Sequence, residues 1–323
     1  MHPAFSVIFL TTLIGAGQGL FLALFLVESL SIVEVLPVQT GAFYANGSLF
    51  ALALLIGGLI ASFFHLGRPE RAWRSATMWR TSWLSREVIM LPAFMLVLFL
   101  YAMNHYSLGD VSSASVNGEV QITVLLGITG VILCFALFIC TGMIYACLKF
   151  LQEWHTPFTP INYILLGTMS GFTLAAVYAS VSSPMLSKFF AGWALMLTIT
   201  AFIFRMASLM RNKRLKHKSN LKTALGVRHN KITQKTNGSM GGSFNTREFF
   251  HGKPPEFFQA VKWFFLIAAF AIPFFMLLAF STSESFILFF IVFLVQYVGL
   301  VAERWFFFAQ SNHPQNLYYQ SIS

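Results

Sequence analysis

His65 and Glu87 have the side-chain types and spacing for proton exchange at the edge of an apolar layer. They bracket the stretch Phe64–Glu87, FHLGRPERAWRSATMWRTSWLSRE, which lies between two long apolar runs. His65 falls at the end of the run 43–65, and Glu87 falls just inside the run 84–103. A carboxylate placed in an apolar run is costly unless it is paired, protonated or turned toward a wet cavity, so it marks a candidate functional position. The two runs are joined by one link, so both groups should sit at similar depth. An imidazole and a carboxyl so placed can pass protons near neutral pH. Taken singly, each has a plainer account: His65 as a cap of its own helix, Glu87 as an ion-pair partner of Arg86 or Arg80. As a pair on adjacent helix ends they point to chemistry.

The elements that must position them are membrane spans. The chain has 323 residues, 57% hydrophobic and only 10% charged. That balance belongs to an integral membrane protein. Eight runs of about 20 or more mostly apolar residues cover roughly 5–27, 43–65, 84–103, 121–149, 161–181, 188–210, 257–280 and 285–308. Phe21–Val27 and Phe286–Val295 do not alternate apolar with polar, as strands of a membrane barrel would. The expected fold is an all-α, eight-transmembrane-helix bundle. The start, MHPAFSVIFL, has no positive leader region, small-residue cleavage site or twin arginine, so the first run reads as a retained helix. Residues 1–210 hold helices one to six with the site near 64–88. Residues 211–256 form a basic, flexible loop, and 257–323 hold the last two helices and a short tail.

Charge gives the orientation. Of 21 Lys and Arg, five lie in the 66–87 link, eleven lie in 211–256, and Lys149, Arg205, Lys262 and Arg304 lie at helix ends beside the same side. Only Lys188 lies opposite. The positive-inside rule then places both termini and the 64–87 link in the cytoplasm of a cell whose inner membrane the chain spans. KTNGSMGGSFN reads as a flexible linker. The neighbouring RNKRLKHK suits anionic lipid or an acidic protein partner, or serves only to set orientation. Membrane lipids are expected partners; nucleic acid is not.

Other signals are plainer. Gly67 and Pro69 read as a helix stop with Gly67 in the left-handed position. Thr81 and Ser82 are N-cap candidates, and Trp73, Trp79 and Trp83 suit the headgroup level. Glu303 with Arg205 or Arg304 reads as a structural ion pair, and Gln18 and Gln296 as interhelical links. Cys134, Cys140 and Cys147 have no cluster or metal spacing. Two axial histidines for a buried haem are not in view, since His105 lies on the face opposite His65. Neither haem nor an iron–sulfur cluster is expected in this chain. A lipid-borne quinone (ubiquinone or menaquinone) fits better, because it needs an apolar slot and protonatable groups at its carbonyls. Arg71, Arg80 and Trp83 are expected at the mouth of that site. The outer halves of the helices read as almost wholly apolar, so no proton path across the chain is expected.

HLGRPERAWR followed by TSWLSREV resembles the signature of the DmsC-like family, the membrane anchors of dimethyl-sulfoxide-reductase-type molybdoenzymes. The opening MHPAFSVIFLTTLIGAGQGL and the late LVAERWFFFAQ resemble that family's ends. The resemblance implies a haem-free anchor that partners a four-cluster, ferredoxin-like iron–sulfur subunit and a molybdopterin catalytic subunit. It also implies quinol-site roles for His65 and Glu87. A site on the cytoplasmic side is similar to that of anchors in cytoplasmic sulfite dehydrogenases, which pass electrons from sulfite to quinone. The alternatives are an anchor that oxidises quinol to reduce a sulfoxide or related compound, and a small-molecule transporter. The transporter would need broken helices and polar groups at mid-bilayer.

Overall fold

Apolar runs of this length leave the backbone one way to satisfy its own polar groups in lipid short of a closed barrel, which is the helix. The computed structural model describes residues 1–108, 119–216, 218–229, 231–232, 251–280, 284–314 and 316. The linker KTNGSMGGSFN, with Asp110 and Arg247, lies outside them. Among the described residues there is no strand, and eight helical stretches are long and apolar enough to cross a bilayer. They are α1 (Phe5–Ile32), α2 (Gly41–Phe63), α3 (Trp83–Leu108), α4 (Glu119–Ala146), α5 (Phe158–Ser182), α6 (Pro184–Lys213), a seventh span Pro255–Ala279, and α10 (Phe286–Ala309). A short α7 (Leu221–Leu225) lies in the basic loop. The seventh span is α8 (Pro255–Leu266), a π-helical turn Ile267–Ala271 and α9 (Ile272–Ala279).

Several local expectations change. α2 stops at Phe63, so His65 lies beyond the helix rather than on its last turn. Gly67 does not adopt a left-handed backbone; positive φ glycines among the described residues are Gly226 and Gly252. The 64–87 link is a 3₁₀ segment over Pro69–Ala76, and Ser82, not Thr81, caps α3 by accepting from the Ser85 N–H at 3.3 Å. α1 runs past Val27 through Glu28 to Ile32, so that carboxylate belongs to a span and not to a link.

Two rings of helices share α5. α1, α2, α3, α4 and α5 close one; α5, α6, the seventh span and α10 close the other, with α10 also touching α1. α1 and α5 are accordingly the most enclosed spans, 67% and 78% buried over their apolar windows. Their close approach runs through Gly15, Gly19, Gly167 and Gly171, and a methyl group built on Gly171 would fall into the backbone of Gly19 and Leu20. Small residues permit such backbone-to-backbone packing in lipid. Gln18 Nε2 donates to the Cys134 carbonyl at 2.9 Å, and Gln296 Nε2 reaches Thr198 Oγ1 at 3.5 Å, as interhelical links should. The N-terminal amine of Met1 donates to the Ser311 carbonyl at 3.0 Å, which brings the start of the chain to the end of α10. This is the near end of the bundle, and the Glu28 end of α1 is the far end.

Candidate functional site

Glu87 sits in the first turns of α3 and turns inward. Its neighbour Arg86 does not pair with it: Arg86 donates to the Trp79 and Arg80 carbonyls at 2.9 and 2.8 Å and lies over the Trp83 ring. Glu87 Oε1 instead accepts from the Thr141 hydroxyl of α4 at 2.5 Å. The carboxyl lines a cleft where the two rings meet. α1 contributes Leu10, Ile14 and Gln18; α4 contributes Phe138 and Thr141; α5 contributes Tyr163 and Leu166; α10 contributes Leu300 and Arg304.

Arg304, which lines the cleft, belongs to a buried charge cluster. Glu303 Oε1 is 2.8 Å from Arg205 Nε, and its Oε2 is 3.3 Å from Arg304 Nε. All three residues are under 5% exposed, so the pairing expected from sequence is present and desolvated. A buried pair of this kind holds only with both partners in place. Arg304 also lies 4.0 Å from the Tyr163 ring centroid, and Tyr163 stacks on Tyr145 at 5.8 Å. The Tyr163 hydroxyl is buried and makes no hydrogen bond of normal geometry among the described residues. The cleft is thus lined by a carboxyl, a phenol and a guanidinium among aliphatic and aromatic side chains. Its free space is narrow, with room for a water molecule's centre to move within only about 20 Å³.

The remaining sequence candidates lie outside. His65 is exposed past the end of α2 and does not line the cleft. Arg71 and Arg80 are exposed at the near end, Arg71 beside Glu70 and Arg80 over Trp79. Trp83 is half-buried under Arg86. Sequence reasoning missed Thr141, Tyr145 and Tyr163. A hydroxyl or phenol within an apolar run is common glue and carries no signal until its neighbours are known. Cys134 and Cys140 are buried and Cys147 is exposed, and no group of three or more potential metal ligands converges among the described residues.

Residues 1–310, which include every residue lining the cleft, match the profile described as "DMSO reductase anchor subunit (DmsC)". The chain belongs to the DmsC family. It is also 53% identical, over the whole of both chains, to a sulfite dehydrogenase subunit of Allochromatium vinosum.

The far end of this DmsC-family chain corrects one expectation, that the outer halves are almost wholly apolar. Tyr101 donates to Glu28 Oε2 at 2.5 Å, and His105 Nε2 is 3.2 Å from Glu28 Oε1. Tyr44 of α2 packs on His105 with ring centroids 4.8 Å apart. All four side chains are under 10% exposed. Between this cluster and Gln18 stand Phe21, Phe94, Leu24 and Leu98, all buried, so the two polar islands are separated by an apolar layer. The far cluster ties α1, α2 and α3 together. Tyr101→Phe removes a donor from a buried carboxylate and is expected to cost about 1–3 kcal/mol. His105→Leu removes the imidazole from the same carboxylate and should lower the thermal midpoint of the solubilised complex further. Unchanged midpoints in both would show that the cluster contributes nothing to stability.

Proposed function

We propose that this chain is the quinone-reactive membrane anchor of a sulfite-oxidising molybdoenzyme complex, with Glu87 exchanging protons at the ring. The observation that carries the reading is the inward carboxyl of Glu87, which lines a cleft together with Tyr163, whose hydroxyl is buried. Membership in an anchor family and the likeness to part of a sulfite dehydrogenase support it. The near end carries the arginine-rich 64–87 link and the end of α6, so the positive-inside rule makes it cytoplasmic, with both termini inside. An iron–sulfur subunit, itself docked to a molybdopterin subunit, would sit on that basic face and deliver electrons from sulfite.

The residues present fit a quinone. When bound, it supplies a carrier that takes two electrons together with two protons. Leu10, Ile14, Phe138, Leu166 and Leu300 exclude water from the ring's faces. Tyr163 and Arg304 would offer donors to a bound quinone's carbonyl oxygens, and Glu87 would hold and exchange a proton at its carboxyl oxygens. Thr141 fixes the carboxyl's rotamer. His65, exposed outside the cleft, would relay protons with the aqueous phase rather than touch the ring. Reverse flow, from quinol toward a sulfoxide-type acceptor, would use the same residues, and the potentials of the partner subunits set the direction.

Photolabelling the assembled complex with an azido-quinone tests the location. Label is expected in peptides carrying Leu10–Gln18, Glu87 and Phe138–Thr141. Label confined to other spans overturns the assignment.

A further inference from the structure

We propose that a groove between α6 and the seventh span, at the near end, is a binding site for an anionic phospholipid. α6 meets the seventh span mainly at α9 and parts from α8 below the π-helical turn. Beside the turn α10 comes so close at Gly299 that a methyl group would run into the Ala268 and Ala269 backbone. A π turn shifts the face that a helix presents, and the gap it leaves is large. The groove holds about 700 Å³, within the range of ligand sites and far larger than the cleft at Glu87.

Its lining is divided by chemistry. Met206, Leu209, Met210 and Leu266 form an apolar wall along the spans. Lys213 at the end of α6, Lys253 just before α8, and Lys262 on α8 line the same groove at the end of the bundle. Among the described residues none of the three lies in an ion pair with a carboxylate; Lys253 and Lys262 rest over the rings of Phe257 and Trp263. Of the described residues in the lining, Glu153 is the one carboxylate. His251, also in the lining, is held below the ordinary histidine value by burial, with the N-terminal amine, His2 and Lys253 adding to the effect, which reports a positive local field.

Three cations above an apolar wall match a phosphodiester headgroup joined to acyl chains. An acidic protein segment would leave the Met206–Leu266 wall facing water or charge. Basic sites between spans on the cytoplasmic side hold anionic headgroups by this combination. The site is distinct from the cleft at Glu87, and its lining shares no residue with it.

The test uses the purified, delipidated complex titrated with short-chain phosphatidylglycerol, phosphatidylcholine of the same chains, and inorganic phosphate. Phosphatidylglycerol should bind, phosphatidylcholine should bind far more weakly, and inorganic phosphate should fail to displace the lipid. Lys213→Gln, Lys253→Gln and Lys262→Gln combined should weaken phosphatidylglycerol about a hundredfold, from roughly one surface-lysine contribution each. Lys216→Gln, Lys222→Gln and Lys231→Gln combined, the same change of charge outside the groove, should leave binding unchanged. Equal binding of both lipids, displacement by phosphate alone, or equal losses in the two triple variants overturns the proposal.

Discussion

Glu87→Gln in the assembled complex is expected to lower quinone-linked turnover about 10²–10⁴-fold, the usual contribution of a positioned acid–base group. Turnover with an artificial dye at the catalytic subunit should be unchanged. The substitution is close to isosteric, and a glutamine oxygen still accepts from Thr141, so the helix contact between α3 and α4 survives. What disappears is a proton that can leave and return. The dye assay separates this loss from misassembly, because electrons still reach the dye without passing through the cleft. His65→Ala serves as the comparison. His65 lies outside the cleft, so its removal should slow quinone-linked turnover less than Glu87→Gln does. If both quinone-linked rates persist, the assignment of the site falls. If His65→Ala is the more damaging, the ring sits at the end of α2 and not in the cleft.

What the sequence shows and hides follows from length scale. The eight spans are legible because lipid demands long apolar runs and helical backbone. Glu87 is legible because a carboxylate in such a run is rare and expensive. Its neighbours are not, because Thr141, Tyr163 and Arg304 line the same cleft from three other spans and each is ordinary within its own. The arginine link is different: Arg71, in the 3₁₀ segment beside Glu70, and Arg80, over Trp79, are exposed at the near end and do not line the cleft. The far cluster is hidden by about one helical turn. A first run taken to end at residue 27 leaves Glu28 in a link, whereas the helix continues to Ile32 and buries it against Tyr101 and His105. The π turn above the groove near Lys262 is hidden too, because the apolar string Ile267–Ala271 gives no sign of one.

Gly171→Leu is expected to abolish accumulation of the complex in the membrane. The α1–α5 pair is the axis about which both helix rings close, so the cleft exists only if these helices touch. At Gly171 the neighbours of an added side chain are the Gly19 and Leu20 backbone, which cannot rotate aside as a flexible side chain would. Overpacking in an otherwise rigid core costs about 1–3 kcal/mol even where neighbours can shift. Here the helices must separate, which forfeits the contacts along their length. Gly171→Ala should already lower the thermal midpoint, since the first carbon alone meets the backbone. Gly192 on α6 provides the control: an added carbon there has no neighbour within 4 Å among the described residues, so Gly192→Ala should accumulate and turn over quinone normally. Equal accumulation of Gly171→Leu and Gly192→Ala would mean that α1 and α5 do not meet at these glycines. The cleft beside them, lined by Glu87 and Tyr163, would then lose its walls on α1 and α5.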